Sequence, residues 1–169
     1  MSTQKWRLSA FFAIDRKRGE PQHILMLILH GTCIDIDGAA VLLRGESGSG
    51  KSDLALRLIE DGARLIADDQ TCFIRQDTQL LASPPDSIQG LLEVRGVGIV
   101  RVPFSRKVPL RLVVDLLPDA GIERMPEKTA VILMDLHFPS VSLPAFHAAS
   151  AAKVRMALAC SLHPDMVSS

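Results

Sequence analysis

"AAVLLRGESGSGKSD" (Ala39–Asp53) joins a short apolar run to a glycine-rich segment that closes on a lysine and a serine. Gly45-Glu46-Ser47-Gly48-Ser49-Gly50-Lys51-Ser52 satisfies the full Walker A pattern. The apolar residues before it predict a strand. After it, "KSDLALRLIEDG" (Lys51–Gly62) carries Leu54 and Leu58 at helical spacing, with Ala55 and Ile59 beside them and Gly62 placed as a C-terminal cap. Strand, loop and helix in that order suit a phosphate. Glycines let backbone amides turn inward around phosphate oxygens, and a helix N-terminus adds partial positive charge. Lys51 can reach the β- and γ-phosphates, and Ser52 can bind Mg²⁺. Residues 45–52 are therefore expected to hold a nucleoside triphosphate with Mg²⁺.

Outward from this stretch the chain reads as α/β. "ILMLILHGTCIDID" (Ile24–Asp37) predicts a strand that turns at Asp37-Gly38 into the strand leading to the loop. "RLIADD" (Arg64–Asp69), "CFIR" (Cys72–Arg75), "IVRVPF" (Ile99–Phe104), "LRLVVDLL" (Leu110–Leu117) and "AVILMDL" (Ala130–Leu136) are further strand candidates, rich in branched aliphatics. Most are expected in one core sheet. The alanine-rich segment Pro144–Leu162 predicts a terminal helix. The length of 169 residues suits one domain, residues 24–169, with residues 1–23 as a loosely attached N-terminal extension.

Composition narrows the function. Nineteen basic and nineteen acidic residues cancel, so no global positive field favours nucleic acid. No apolar run is long enough to cross a bilayer. Cys33, Cys72 and Cys160 are odd in number and widely separated, which fits reduced thiols and a cytoplasmic setting.

A phosphate cradle still needs a group to activate the acceptor. Asp68 and Asp69 end the strand that follows the loop helix, and so emerge at the carboxyl edge of the sheet, where ligands of open α/β folds bind. One could hold metal or water and the other act as general base; the plainer reading is a pair of turn residues. "LLEVRGVGIVRV" (Leu91–Val102) sets Glu93, Arg95, Gly96 and Gly98 in an apolar strand pattern. Glu93 could bind the same metal as Ser52, or the run could be a strand with a glycine bulge. His30, before Gly31, reads on its own as a structural histidine.

"GESGSGKS", "RLIADD" and "LEVRGVGI", in this order and spacing, resemble the catalytic domain of HPr kinase/phosphorylase from about His30 to about Leu136. That bacterial family uses ATP to phosphorylate a serine of the phosphocarrier protein HPr, and many members also remove the phosphate with inorganic phosphate, releasing pyrophosphate. The resemblance implies catalytic roles for His30, Lys51, Asp68 and Asp69, with Asp69 as the base, and metal binding by Ser52 and Glu93. A family arginine needed for catalysis falls on Arg124 in "GIERMPE" (Gly121–Glu127). It further implies HPr or an HPr-like protein as partner and a homo-hexamer. Longer members carry an additional N-terminal domain, and this chain is similar to the truncated form of alphaproteobacteria. A basic late loop associated with dephosphorylation corresponds here to Phe138–Ser150, which contains no lysine or arginine, so a kinase with little phosphorylase activity is expected. Rival expectations are a P-loop kinase for a small metabolite, which would need an arginine-bearing lid, and a non-catalytic ATP-binding regulatory module.

Overall fold

The Walker-type loop hangs from a strand that is buried along its whole length. In the computed structural model, which describes residues 7–14 and 21–166, this strand β4 (Ala39–Arg44) runs antiparallel to β3 (Thr32–Ile36) and parallel to β10 (Val108–Leu116). β3 also pairs with β5 (Arg64–Ala67), whose end carries Asp68 and Asp69. On its other flank β10 pairs in parallel with β12 (Leu136–Leu143), and β12 with β11 (Thr129–Leu133). The N-terminal end of β10 pairs antiparallel with β7 (Gln79–Ser83). From there the sheet continues through β6 (Gln70–Gln76) and β2 (Pro21–His30) to β1 (Arg7–Ile14), giving a 10-stranded sheet. β8 (Leu91–Val94) and β9 (Gly98–Arg101) form a separate hairpin.

The alternation of side chains along β4 explains how one sheet supports two cores. Val41 and Leu43, with Leu112 and Val114 of β10, meet Leu54 and Leu58 of helix α1 (Lys51–Glu60) and Val154 and Leu158 of helix α2 (Ser150–Leu162). Ala40, Leu42 and Val113 point the other way, against Leu29, Ile66, Phe73 and Leu80. The antiparallel half therefore covers the face opposite the helices. A register shift between Leu110 and Leu112 puts these two residues in different cores, as a bulge must. Each fully buried side chain of this size, such as Phe73 or Leu80, contributes about 1.5–3 kcal/mol of transfer free energy.

Several expectations are corrected. Ile24–Asp37 is two strands, because the chain breaks at Gly31 and passes from β2 to β3. A Cβ at Gly31 would lie 2.8 Å from the carbonyl oxygen of Leu43, so glycine is what permits the crossover. Within the expected loose extension, Arg7–Ile14 is strand β1, paired with β2 from Pro21 onward; residues 1–6 and 15–20 lie outside the described residues. The "LLEVRGVGIVRV" run is the β8–β9 hairpin, with Gly96 and Gly98 at positive φ in and after its turn. The terminal helix begins at Ser150, not Pro144. The carbonyls of Ala145 and His147, which a longer helix would use internally, accept hydrogen bonds from Arg57.

Candidate active site

Left-handed glycines and internal hydrogen bonds shape the loop. Gly45, Gly48 and Gly50 all have positive φ, and the Ser49 amide donates to the Glu46 carbonyl at 3.1 Å. Lys51 begins α1 but turns back over the loop, and its Nζ donates to the carbonyls of Gly45 at 2.9 Å and Glu46 at 2.8 Å. The ammonium is thus parked in the mouth of the glycine run. Burial pushes its pKa below the ordinary lysine value, while the carboxylates of Asp69 and Asp68 pull the other way. Gly50 caps α1 in a left-handed conformation, and a Cβ there would lie 2.6 Å from Cβ of Ala145. No other residue fits that junction. Glu46, Ser47 and Gly48 form the exposed outer lip.

The two aspartates sit beside the loop but in different environments. Asp68 is 9% exposed. Its Oδ1 accepts from Thr32 Oγ1 at 2.8 Å and from Ser52 Oγ at 3.0 Å, and its Oδ2 accepts from the Glu93 amide at 3.1 Å. This one carboxylate ties together β3, the loop helix, the end of β5 and the β8–β9 hairpin. Asp69 follows in a left-handed conformation at φ 68 and turns its carboxylate outward. His30 Nδ1 lies 3.0 Å from Asp69 Oδ1, with the two side chains 58% and 67% exposed. The Asp69 carbonyl accepts the Gly31 amide at 2.9 Å, which fixes the turn against the crossover between the sheet halves. An exposed carboxylate oriented by a histidine, beside a buried one that orients a hydroxyl, can take a proton from an incoming group.

The structure brings His30, Lys51, Ser52, Asp68 and Asp69 together. Glu93 joins them through its backbone amide, and its side chain is exposed. Arg124 lies in the exposed segment between β10 and β11. β10 runs parallel to β4, so this segment leaves the sheet at the same edge as the loop, but no hydrogen bond or ion pair among the described residues draws Arg124 to Lys51 or Asp69. Four participants are invisible to motif reading. Thr32 supplies a donor to Asp68 from full burial. Arg44 makes a bidentate pair with Asp115 at 2.8 and 2.7 Å directly beneath the loop. Arg57 bonds Asp53 and the 145–147 backbone, and His147 Nε2 lies 2.6 Å from Asp119 Oδ2. Of these, only Arg57 carries a sequence signal, its i,i+4 spacing from Asp53.

Hard divalent cations take oxygen ligands, and the Ser52 hydroxyl beside the Asp68 carboxylate is a donor pair of that kind. Among the described residues no group of three or more His, Cys, Asp or Glu side chains converges, so a metal here would draw most of its ligands from phosphate and water. No helix among the described residues is long and apolar enough to cross a membrane.

A glycine loop between a buried strand and a helix, with an acidic pair at the end of a nearby strand, places this chain among mixed α/β domains with a helix-capping glycine loop. Residues 25–161 match the HPr serine kinase C-terminal domain, and the chain belongs to that family. It is 38% identical over 149 residues to the HPr kinase/phosphorylases of Burkholderia lata and Burkholderia cenocepacia, a match covering 80% of this chain and 46% of each relative. The chain thus spans about half the length of these curated relatives. The fold is shared with the Hpr(Ser) kinase/phosphatase from Coxiella burnetii, at a TM-score of 0.72 and 24% identity over 82% of this chain and 97% of that one.

Proposed function

We propose that residues 24–169 form the catalytic domain of an ATP- and Mg²⁺-dependent serine kinase that phosphorylates HPr, or an HPr-like phosphocarrier protein, in the cytoplasm. The observation that carries this reading is the meeting of Lys51, Ser52, Asp68 and Asp69 at one edge of the sheet, in a chain of the HPr serine kinase family. ATP lies with its β- and γ-phosphates along residues 45–52. Lys51 exchanges its two backbone carbonyls for phosphate oxygens, a charge-assisted contact that no neighbour replaces. Ser52, with the exposed Glu93 carboxylate, would hold Mg²⁺, which would neutralise charge on those oxygens. Asp68 keeps the Ser52 hydroxyl in place, and His30 holds Asp69.

The acceptor serine approaches over the exposed Asp69. Its hydroxyl oxygen bonds to the γ-phosphorus as the bond from that phosphorus to the β–γ bridging oxygen breaks, leaving ADP. The hydroxyl proton passes to the Asp69 carboxylate. Arg124, on the segment after β10, balances charge on the transferring group. By family resemblance the chain works as a homo-hexamer. The forward direction dominates, because bringing phosphate against phosphoserine needs cations that Phe138–Ser150 lacks. His147 there is engaged with Asp119, and Arg57 nearby is held by carbonyls and Asp53. Incubation with γ-labelled ATP, Mg²⁺ and HPr tests the assignment: label on an HPr serine is expected, and transfer only to a small molecule, or to nothing, would overturn it.

A further inference from the structure

Beside the loop, against Gly50, the turn 144–149 carries an aromatic ring into solvent. Phe146 is 70% exposed, and among residues 26–166 it is the one aromatic side chain in that condition. It does not hang free. Its Cε1 and Cζ lie 2.9 Å from where a Cβ on Gly50 would sit, so the ring edge rests on the last loop residue before Lys51. The backbone on both sides is clamped by one guanidinium, since Arg57 donates to the carbonyls of Ala145 and, at 2.8 Å, of His147. Arg57 is itself paired with Asp53 in the first turn of α1 at 3.1 Å. Two further ties hold the turn: His147 to Asp119, and the Ser150 hydroxyl to the Pro144 carbonyl. An aromatic held this firmly, with only two side-chain torsions to order, loses little entropy when a flat partner settles on it.

The direction of a bound triphosphate follows from the same geometry. Ser52 faces Asp68, and Arg57, five residues on, lies about 140° further round the helix, since each residue advances about 100°. The acidic pair and the 144–149 turn therefore sit against different faces of α1, at whose N-terminus the loop lies. A triphosphate is a linear chain. With its γ end beside Asp69, its nucleoside end leaves the loop on the side where Phe146 stands.

We propose that Phe146 is the platform on which the base of the bound nucleoside triphosphate stacks, with Arg57 as the residue that positions it. The inference rests on the phosphate-binding reading of residues 45–52 and adds to it the nucleoside subsite. Every base presents a π-face, so the platform favours nucleotides over bare polyphosphate without selecting strongly among bases.

The test compares Mg²⁺-dependent binding of ATP and of inorganic triphosphate to the full chain and to its Phe146→Ala, Phe146→Tyr and Lys51→Ala variants. Phe146→Ala is expected to weaken ATP about tenfold, the scale of one base–aromatic stack, and to leave triphosphate unchanged. Phe146→Tyr keeps the ring and should keep ATP affinity. Unchanged ATP binding in Phe146→Ala overturns the platform and leaves the phosphate site standing. Equal weakening of both ligands also overturns it, because the ring would then merely shape the loop at Gly50. If the unaltered chain does not bind triphosphate, or Lys51→Ala binds it equally well, the phosphate reading fails and the platform with it.

Discussion

Replacing the carboxylates of Asp68 and Asp69 by amides, one at a time, separates two roles that adjacent identical residues conceal. In Asp68→Asn the side chain keeps a single acceptor oxygen. If that oxygen faces Thr32 and Ser52, the amide NH₂ points at the Glu93 N–H, donor against donor; if it is flipped, it faces two hydroxyls. One donor orphaned at about 1–3 kcal/mol, together with the lost charge on the remaining bonds, gives an expected destabilisation of about 2–4 kcal/mol. That is a large part of the roughly 5–15 kcal/mol available to a domain. Asp69 differs on every count. Its φ of 68 lies in a region where asparagine is well tolerated, its side chain is 67% exposed, and its pair with His30 is a surface contact. Asp69→Asn should therefore unfold within about 0.5 kcal/mol of the parent while transfer falls by about 10²–10⁴. Urea unfolding followed by circular dichroism, beside transfer of label from ATP to HPr, reads both quantities. A parental unfolding midpoint for Asp68→Asn would refute its role as the tie between elements, and parental transfer by Asp69→Asn would remove it as the base.

Lys51→Ala should abolish nucleotide binding by calorimetry, since the ammonium parked on Gly45 and Glu46 has no substitute. Because burial lowers the Lys51 pKa and phosphates bind its protonated form, ATP affinity should be level below that lowered value. It should fall as pH rises through it, at a lower pH than an ordinary lysine would set; affinity that stays flat into the ordinary lysine range would contradict this. Gly31→Ala is expected to cost about 1–3 kcal/mol in urea unfolding, through contact with the Leu43 carbonyl. Phosphoserine-HPr supplied with inorganic phosphate should release pyrophosphate much more slowly than the forward reaction runs; comparable rates would defeat the kinase-dominant reading.

What could be read from the chain follows the range of the interactions involved. The loop and α1 were legible because their signals are local: glycine spacing, a lysine, and apolar residues at helical period. The acidic pair was placed at the correct strand end because β5 is a short, buried apolar run. The break at Gly31 was not legible, since the obstacle is a carbonyl from β4, twelve residues further along. β12 escaped because its half-buried pattern of polar and apolar residues resembles a loop. The late start of α2 depends on Arg57, whose guanidinium reaches residues about ninety positions away in the chain. Asp68 could be paired with Asp69 by motif, but its three donors come from β3, α1 and the β8–β9 hairpin, and only the fold unites them.

The place of β10 between β7 and β4 also sets the order in which a newly made chain can assemble. A nascent polypeptide that has released β3, β4, α1 and β5 from the ribosome still has one unpaired edge on β4, and Arg44 there has no counter-charge. Both conditions last until the segment through Asp115 emerges. An open, apolar strand edge is a template for pairing with another chain, and closing such a distant contact is slow. The edge that carries the glycine loop is therefore completed late, and synthesis halted before β10 leaves an aggregating fragment, not a smaller folded unit.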